Sequence, residues 1–149
     1  MTTIDSRRGG AAGAPGRRIL LVDDNADLAQ SLKELLEHDG NQVAMVTDPL
    51  AAFELARRTS PDVCILDIQL PNMDGYELAR RLRELPATKN ALFIALTGYG
   101  WDYDPRRSRE AGFAHHLLKP VDTARLTSLI ASVPSSRPSL PDASPPGSP

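Results

Sequence analysis

Val63-Cys64-Ile65-Leu66 is an unbroken apolar run that stops at a carboxylate, Asp67. A short run without alternation reads as a strand buried on both faces, the kind found in parallel sheets with helices packed on each side. The pattern recurs along the chain. Ile19-Leu20-Leu21-Val22 stops at Asp23-Asp24, Leu92-Phe93-Ile94-Ala95-Leu96 stops at Thr97, and His116-Leu117-Leu118 stops at Lys119-Pro120. The spacing predicts strands at about Arg18–Asp23, Val43–Val46, Val63–Asp67, Leu92–Thr97 and Ala114–Leu118. Helical patterns lie between them. Leu28, Leu32, Leu35 and Leu36 share one face of the first, and Gly40 can close it. Asp48 and Pro49 can start the second, whose inner face is Ala52, Leu55 and Ala56. Asp74 caps a third with the stripe Leu78, Ala79 and Leu82, and Pro86 lies beyond its end. A fourth runs near Pro105–Ala111 and ends at Gly112, and Asp122 caps a fifth with Leu126, Leu129 and Ile130 inward. The expectation is an α/β fold: a five-stranded parallel sheet of order 2-1-3-4-5, the flavodoxin-like doubly wound arrangement.

Such sheets bind ligands outside the carboxyl ends of their strands, at the point where strand order reverses. Here that point lies between the first and third strands, where Asp23, Asp24 and Asp67 converge. Three carboxylates so close repel, and at least one pKa rises unless a cation joins them. Mg²⁺ suits the set, because it takes oxygen ligands and keeps several waters. The Thr97 hydroxyl and the Lys119 ammonium reach the same edge, and together these groups suit a divalent cation and a phosphoryl group. Each signal alone has a plainer reading. Asp23-Asp24 suits a helix N-terminus, Asp67 a turn, Thr97 an ordinary strand end and Lys119-Pro120 a loop. All four at one sheet edge would require independent coincidences.

Composition removes other classes. Lys and Arg total 17 against 19 Asp and Glu, a net charge of −2, so neither nucleic acid nor an anionic membrane is expected as a bulk partner. Cys64 is the only cysteine, which excludes an internal disulfide and points to a small core residue in a cytoplasmic protein. No apolar stretch approaches the roughly 18 residues of a spanning helix, and the N-terminus lacks the apolar segment of a secretory signal. Residues 1–16 are rich in Gly and small residues, and residues 134–149 hold six Pro and five Ser. Both read as tails with little to bury, leaving one domain at 17–133 and no room for an output domain.

With an acidic pair, an Asp before a loop ending in Met73-Asp74-Gly75, a Thr and then Lys119-Pro120, the chain resembles the receiver domains of two-component response regulators over roughly Arg17 to Val133. Ala95-Leu96-Thr97-Gly98-Tyr99-Gly100 and the segment from Gly112 to Asp122 are similar to receivers attached to hybrid histidine kinases. The resemblance implies that Asp67 accepts a phosphoryl group from a histidine kinase or histidine phosphotransfer protein. It implies that Asp24, Asp67 and the backbone carbonyl of Gln69 bind Mg²⁺ directly and Asp23 partly through water. It also implies that Thr97 and Lys119 hold phosphoryl oxygens and that the Lys119–Pro120 peptide is cis. Such a domain is a phosphoacceptor that assists its own phosphorylation and dephosphorylation, not an enzyme in the usual sense, and it signals to a downstream protein by contact. One departure stands out: the family usually has Tyr or Phe three residues before its Lys, as a switch, and here that residue is His116. As Thr97 moves toward a phosphoryl group, His116 could follow it inward, and its ring titrates near neutrality. Pro105, early in the fourth helix, would start that helix late.

Two other functions compete. A pseudo-receiver would dock partners without phosphorylation, against which the intact Asp23, Asp24, Asp67, Thr97 and Lys119 set argues. A haloacid dehalogenase-like phosphatase places Asp-x-Asp after its first strand, whereas Asp67-Ile68-Gln69 follows the third. A nicotinamide site lacks its Gly-x-Gly-x-x-Gly, and His115-His116 has no zinc-ligand spacing with the cysteine. Arg80, Arg81 and Arg83, with Arg106, Arg107 and Arg109, read as solvated helix faces. Trp101 and Tyr103 read equally as partner anchors or loop packing.

Overall fold

The computed structural model describes residues 16–71, 73–98 and 104–134. The elements alternate: β1 (Arg18–Val22), α1 (Ala26–His38), β2 (Gln42–Val46), α2 (Pro49–Thr59), β3 (Val63–Asp67), α3 (Gly75–Arg83), β4 (Leu92–Thr97), α4 (Pro105–Ala111), β5 (Phe113–Leu118) and α5 (Thr123–Ala131). All strand pairs are parallel, in the order β2-β1-β3-β4-β5. Three boundaries differ from the sequence reading. β1 stops at Val22 and leaves Asp23 beyond the strand, β2 begins at Gln42, and β5 begins at Phe113. The readings made for residues 1–15, Tyr99, Gly100, Trp101, Tyr103 and residues 135–149 lie outside the described residues. Among the described residues no helix is long and apolar enough to cross a membrane.

All five residues of β3 are buried, which explains its unbroken apolar run. Alternation sends Leu20, Val22, Cys64, Leu66, Phe93 and Ala95 to one side, against α2, α3 and the end of α4. Ile19, Leu21, Val63, Ile65, Ile94 and Leu96 go to the other side, against α1 and α5. On α1 the buried residues are Ala29, Leu32 and Leu36, while Leu28 and Leu35 are half-buried. Leu129 of α5 is half-buried in the same way, beside the buried Leu126 and Ile130. Asn25, Asp48, Asp74, Asp104 and Asp122 cap the five helices, each accepting a first-turn backbone N–H. Since Asn25 caps α1, neither Asp23 nor Asp24 has that task. Pro105 occupies the first turn of α4 behind the Asp104 cap. The two ends of the domain meet through Arg17, whose guanidinium donates to the carbonyls of Val133 at 2.6 Å and Ala131 at 2.9 Å.

The turn after β3 closes on itself at Gly75, whose N–H donates to the Ile68 carbonyl at 2.8 Å. A Cβ here would lie 2.5 Å from the Asp67 carbonyl oxygen and 2.6 Å from Ile68 Cα. Both neighbours are backbone, so only glycine fits without moving the turn that carries Asp67. Gly75→Ala is expected to lower stability by about 1–3 kcal/mol in urea unfolding, as overpacking does. An unchanged midpoint would show that the turn yields freely.

Candidate functional site

Parallel register assembles the site. Val22 pairs with Leu66, so Asp23 and Asp67 arrive side by side at the carboxyl edge. Asp67 pairs with Leu96 and Thr97 with Leu118, which brings Thr97 and Lys119 to the same edge. Backbone bonds lock these steps: Ile68 N–H to the Leu96 carbonyl at 3.0 Å, and Lys119 N–H to the Thr97 carbonyl at 2.7 Å. The Lys119–Pro120 peptide is cis.

Asp23, Asp24 and Asp67 each offer one carboxylate oxygen within 4.8 Å of the others. Asp23 is 0% exposed and Asp67 2%, while Asp24 is open to solvent. Asp23 Oδ1 accepts the Asn25 N–H at 2.9 Å and Asp67 Oδ1 accepts the Gln69 N–H at 2.9 Å. Lys119 Nζ bridges the remaining oxygens, 3.0 Å from Asp23 Oδ2 and 3.1 Å from Asp67 Oδ2. Burial pulls the Lys119 pKa down, but the two carboxylates outweigh it and the net shift is upward. Burial lifts the Asp67 carboxyl to about 6, with the Asp23 charge adding to the rise and the Gln69 N–H and Lys119 opposing it. Three carboxylates against one ammonium leave an excess of negative charge. An all-oxygen donor set with two buried members and one facing water fits a hard divalent cation that keeps part of its hydration shell.

Thr97 is 0% exposed, and its Oγ1 lies 2.9 Å from His116 Nε2. His116 pairs with Ala95 across the sheet and so shares a face with Thr97. Burial, and then the charge of Arg125, hold its pKa below the ordinary value. The sequence reading treated Thr97 and His116 as successive movers, whereas the structure joins them by a hydrogen bond. All six arginines are exposed, as solvated helix faces should be, and two of them also reach beyond their own helix. Arg107 ion-pairs with Asp74 at 2.9 Å, and Arg83 donates to the Gly112 carbonyl at 3.1 Å. Arg80 and Arg81 stay on their own helix, both paired with Glu77.

A family model described as the response regulator receiver domain matches residues 19–131. The chain belongs to that family. Receivers are signalling domains that bind Mg²⁺ at an acidic pocket and interact with histidine kinases or phosphotransfer proteins. The chain is 38% identical over 112 residues to an "uncharacterized 14.6 kDa protein in sodA1 3'region" of Leptolyngbya boryana, covering 75% of this chain and 86% of the relative. It is 28% identical to the polar-differentiation response regulator DivK of Brucella anthropi, over 78% of this chain and 94% of that one. Among solved structures, a CheY-like receiver domain from Methylobacillus flagellatus superposes with a TM-score of 0.72 at 32% identity, over 78% of this chain and 98% of the other.

Because Asp67 titrates in the folded receiver at about 6 against an ordinary 3.8, the folded state holds the proton longer than the unfolded chain. Stability therefore falls as pH rises through that window. In Mg²⁺-free buffer at pH 7, Asp67→Asn is expected to melt at a higher temperature than wild type, with the gap closing as pH falls toward about 4. A pH-independent gap in thermal scans would contradict the assigned burial cost.

Proposed function

We propose that Asp67 accepts a phosphoryl group from a phosphohistidine on a histidine kinase or histidine phosphotransfer protein, and that the phosphorylated receiver signals in the cytoplasm through contact with another protein. The observation that carries this reading is the Asp67 carboxylate itself. It is buried, held by the Gln69 N–H on one oxygen, and bridged on the other by a lysine shared with Asp23. In the transfer, an Asp67 oxygen attacks phosphorus and the bond to the donor imidazole nitrogen breaks. The electron pair leaves with the imidazole, and an acyl phosphate remains on Asp67. Such a displacement needs alignment and charge neutralisation more than covalent help. Mg²⁺, held by Asp23, Asp24, Asp67 and the Gln69 carbonyl, would supply part of that neutralisation as a Lewis acid. Lys119 supplies the rest by turning from the carboxylates to a phosphoryl oxygen, which its flexible stem allows.

Thr97 then connects chemistry to shape. Its hydroxyl has one proton to donate. Given to a phosphoryl oxygen, that proton no longer reaches His116, and the pair survives only with Nε2 as the donor. The phosphoryl group can shift a conformational balance by no more than it interacts differently with the two states, and this exchange of partners is such a difference. The near-balanced charge of the chain supports protein contact as the output.

Incubation with acetyl phosphate and Mg²⁺ is expected to add one phosphoryl mass to the wild-type chain and none to Asp67→Asn. Intact-mass spectrometry reads this directly. Equal labelling of both proteins would place the acceptor elsewhere, and labelling of neither would favour a domain that docks partners unphosphorylated.

A further inference from the structure

Only Ser108 and Ala111 of α4 are buried, so apolar packing holds this seven-residue helix thinly. Its other anchor is the start of α3. The Tyr76 hydroxyl accepts the backbone N–H of Asp104, the α4 cap, at 2.8 Å. The Arg107 guanidinium carbon lies 4.5 Å from the centre of the Tyr76 ring, and Arg107 donates to Asp74 Oδ2 at 2.9 Å. Asp74 caps α3 with its other oxygen, accepting the Glu77 N–H at 2.8 Å. Burial pushes the Asp74 carboxyl up, but the Glu77 N–H and Arg107 outweigh it and hold the group below the ordinary carboxylate value. Behind Tyr76, the Phe113 ring packs edge-on at 6.2 Å. Gly75, between Asp74 and Tyr76, is pressed against the Asp67 carbonyl and Ile68. The backbone of Asp67 thus lies against Gly75, the residue between Asp74 and Tyr76, without passing through Thr97 or His116.

We infer that Asp74, Tyr76 and Arg107 form a clasp that carries movement of the β3–α3 turn to the first turn of α4, separately from the Thr97–His116 pair. The inference rests on the acceptor reading of Asp67 above. The two-state element is the first turn of α4, docked on Tyr76 or released. Docking needs a charge-assisted hydrogen bond, a ring contact and a backbone bond to be made together. A shift of the turn spoils their shared geometry, and the docked population falls. Asp74, Tyr76 and Arg107 are positioning residues in this scheme, since none touches the reacting atoms.

The test is hydrogen–deuterium exchange of α4 in the full chain, with and without acetyl phosphate and Mg²⁺, with intact mass recorded on the same samples. The variants are Arg107→Met and Tyr76→Phe. The control is Arg106→Met, which removes a neighbouring charge that pairs with Glu110 of the same helix. Before phosphorylation, both clasp variants are expected to exchange their α4 amides roughly three- to tenfold faster than wild type, with the control unchanged. On phosphorylation, wild type is expected to change exchange in both α4 and β5, and the clasp variants in β5 alone. An α4 response equal to wild type in both clasp variants would overturn the inference. If wild type gains no phosphoryl mass, the acceptor reading fails, and the unphosphorylated comparison still decides whether the clasp holds α4: unchanged α4 exchange in the variants would overturn it.

Discussion

Lys119 Nζ stands 3.0 Å from Asp23 and 3.1 Å from Asp67, and the rest of the site depends on that bridge. Carboxylates taken out of water side by side are costly unless a cation compensates them. One ammonium compensates incompletely, which is why the Asp67 carboxyl still rises to about 6. The domain therefore carries a built-in demand for more positive charge at one edge of its sheet. A divalent cation would answer that demand, and under the proposed function it would free Lys119 for an incoming anionic group. The proposed phosphoacceptor role and the local instability thus rest on the same three side chains.

The two routes proposed for the signal differ in character. The Thr97–His116 hydrogen bond is part-buried, 2.9 Å long and able to change donor and acceptor roles, because an imidazole has a tautomer that a phenol or phenyl ring lacks. The contacts around Tyr76 and Arg107 are partly exposed, and they lie against a helix with little apolar packing of its own. One starts on the strand beside Asp67 and the other in the turn that follows it, and both lie on the side of the sheet that carries α4.

Much of this was legible in the chain. The unbroken run at Val63–Leu66 reads as a doubly covered strand because both its faces are in the core. Asp48, Asp74 and Asp122 announce helix starts through local chemistry, and Gly40 and Gly112 adopt the positive φ that their places after helices predict. Asp23, Asp67, Thr97 and Lys119 were visible because parallel register turns strand ends into neighbours. Other features depend on distances that periodicity does not encode. On α1 it is Ala29, not Leu35, that is fully buried beside Leu32 and Leu36. Asn25, not the acidic pair, caps α1 because the helix starts two residues after Asp24. The ties from Arg107 to Asp74 and from Arg83 to Gly112 join residues roughly thirty positions apart, and an arginine on a helix carries no local sign of which partner it will find.

The central claim is that Asp67 takes the phosphoryl group and that Lys119 and Thr97 change partners when it does. A crystal structure of the full chain with Mg²⁺ and beryllofluoride, a mimic of the acyl phosphate, tests it most directly. The account predicts beryllium bonded to the Asp67 carboxylate, Lys119 turned from Asp23 to a fluorine, and the Thr97 hydroxyl directed at the fluoride and no longer donated to His116. Beryllofluoride bound elsewhere, or bound at Asp67 with the Lys119 bridge and the Thr97–His116 bond unchanged, would contradict it.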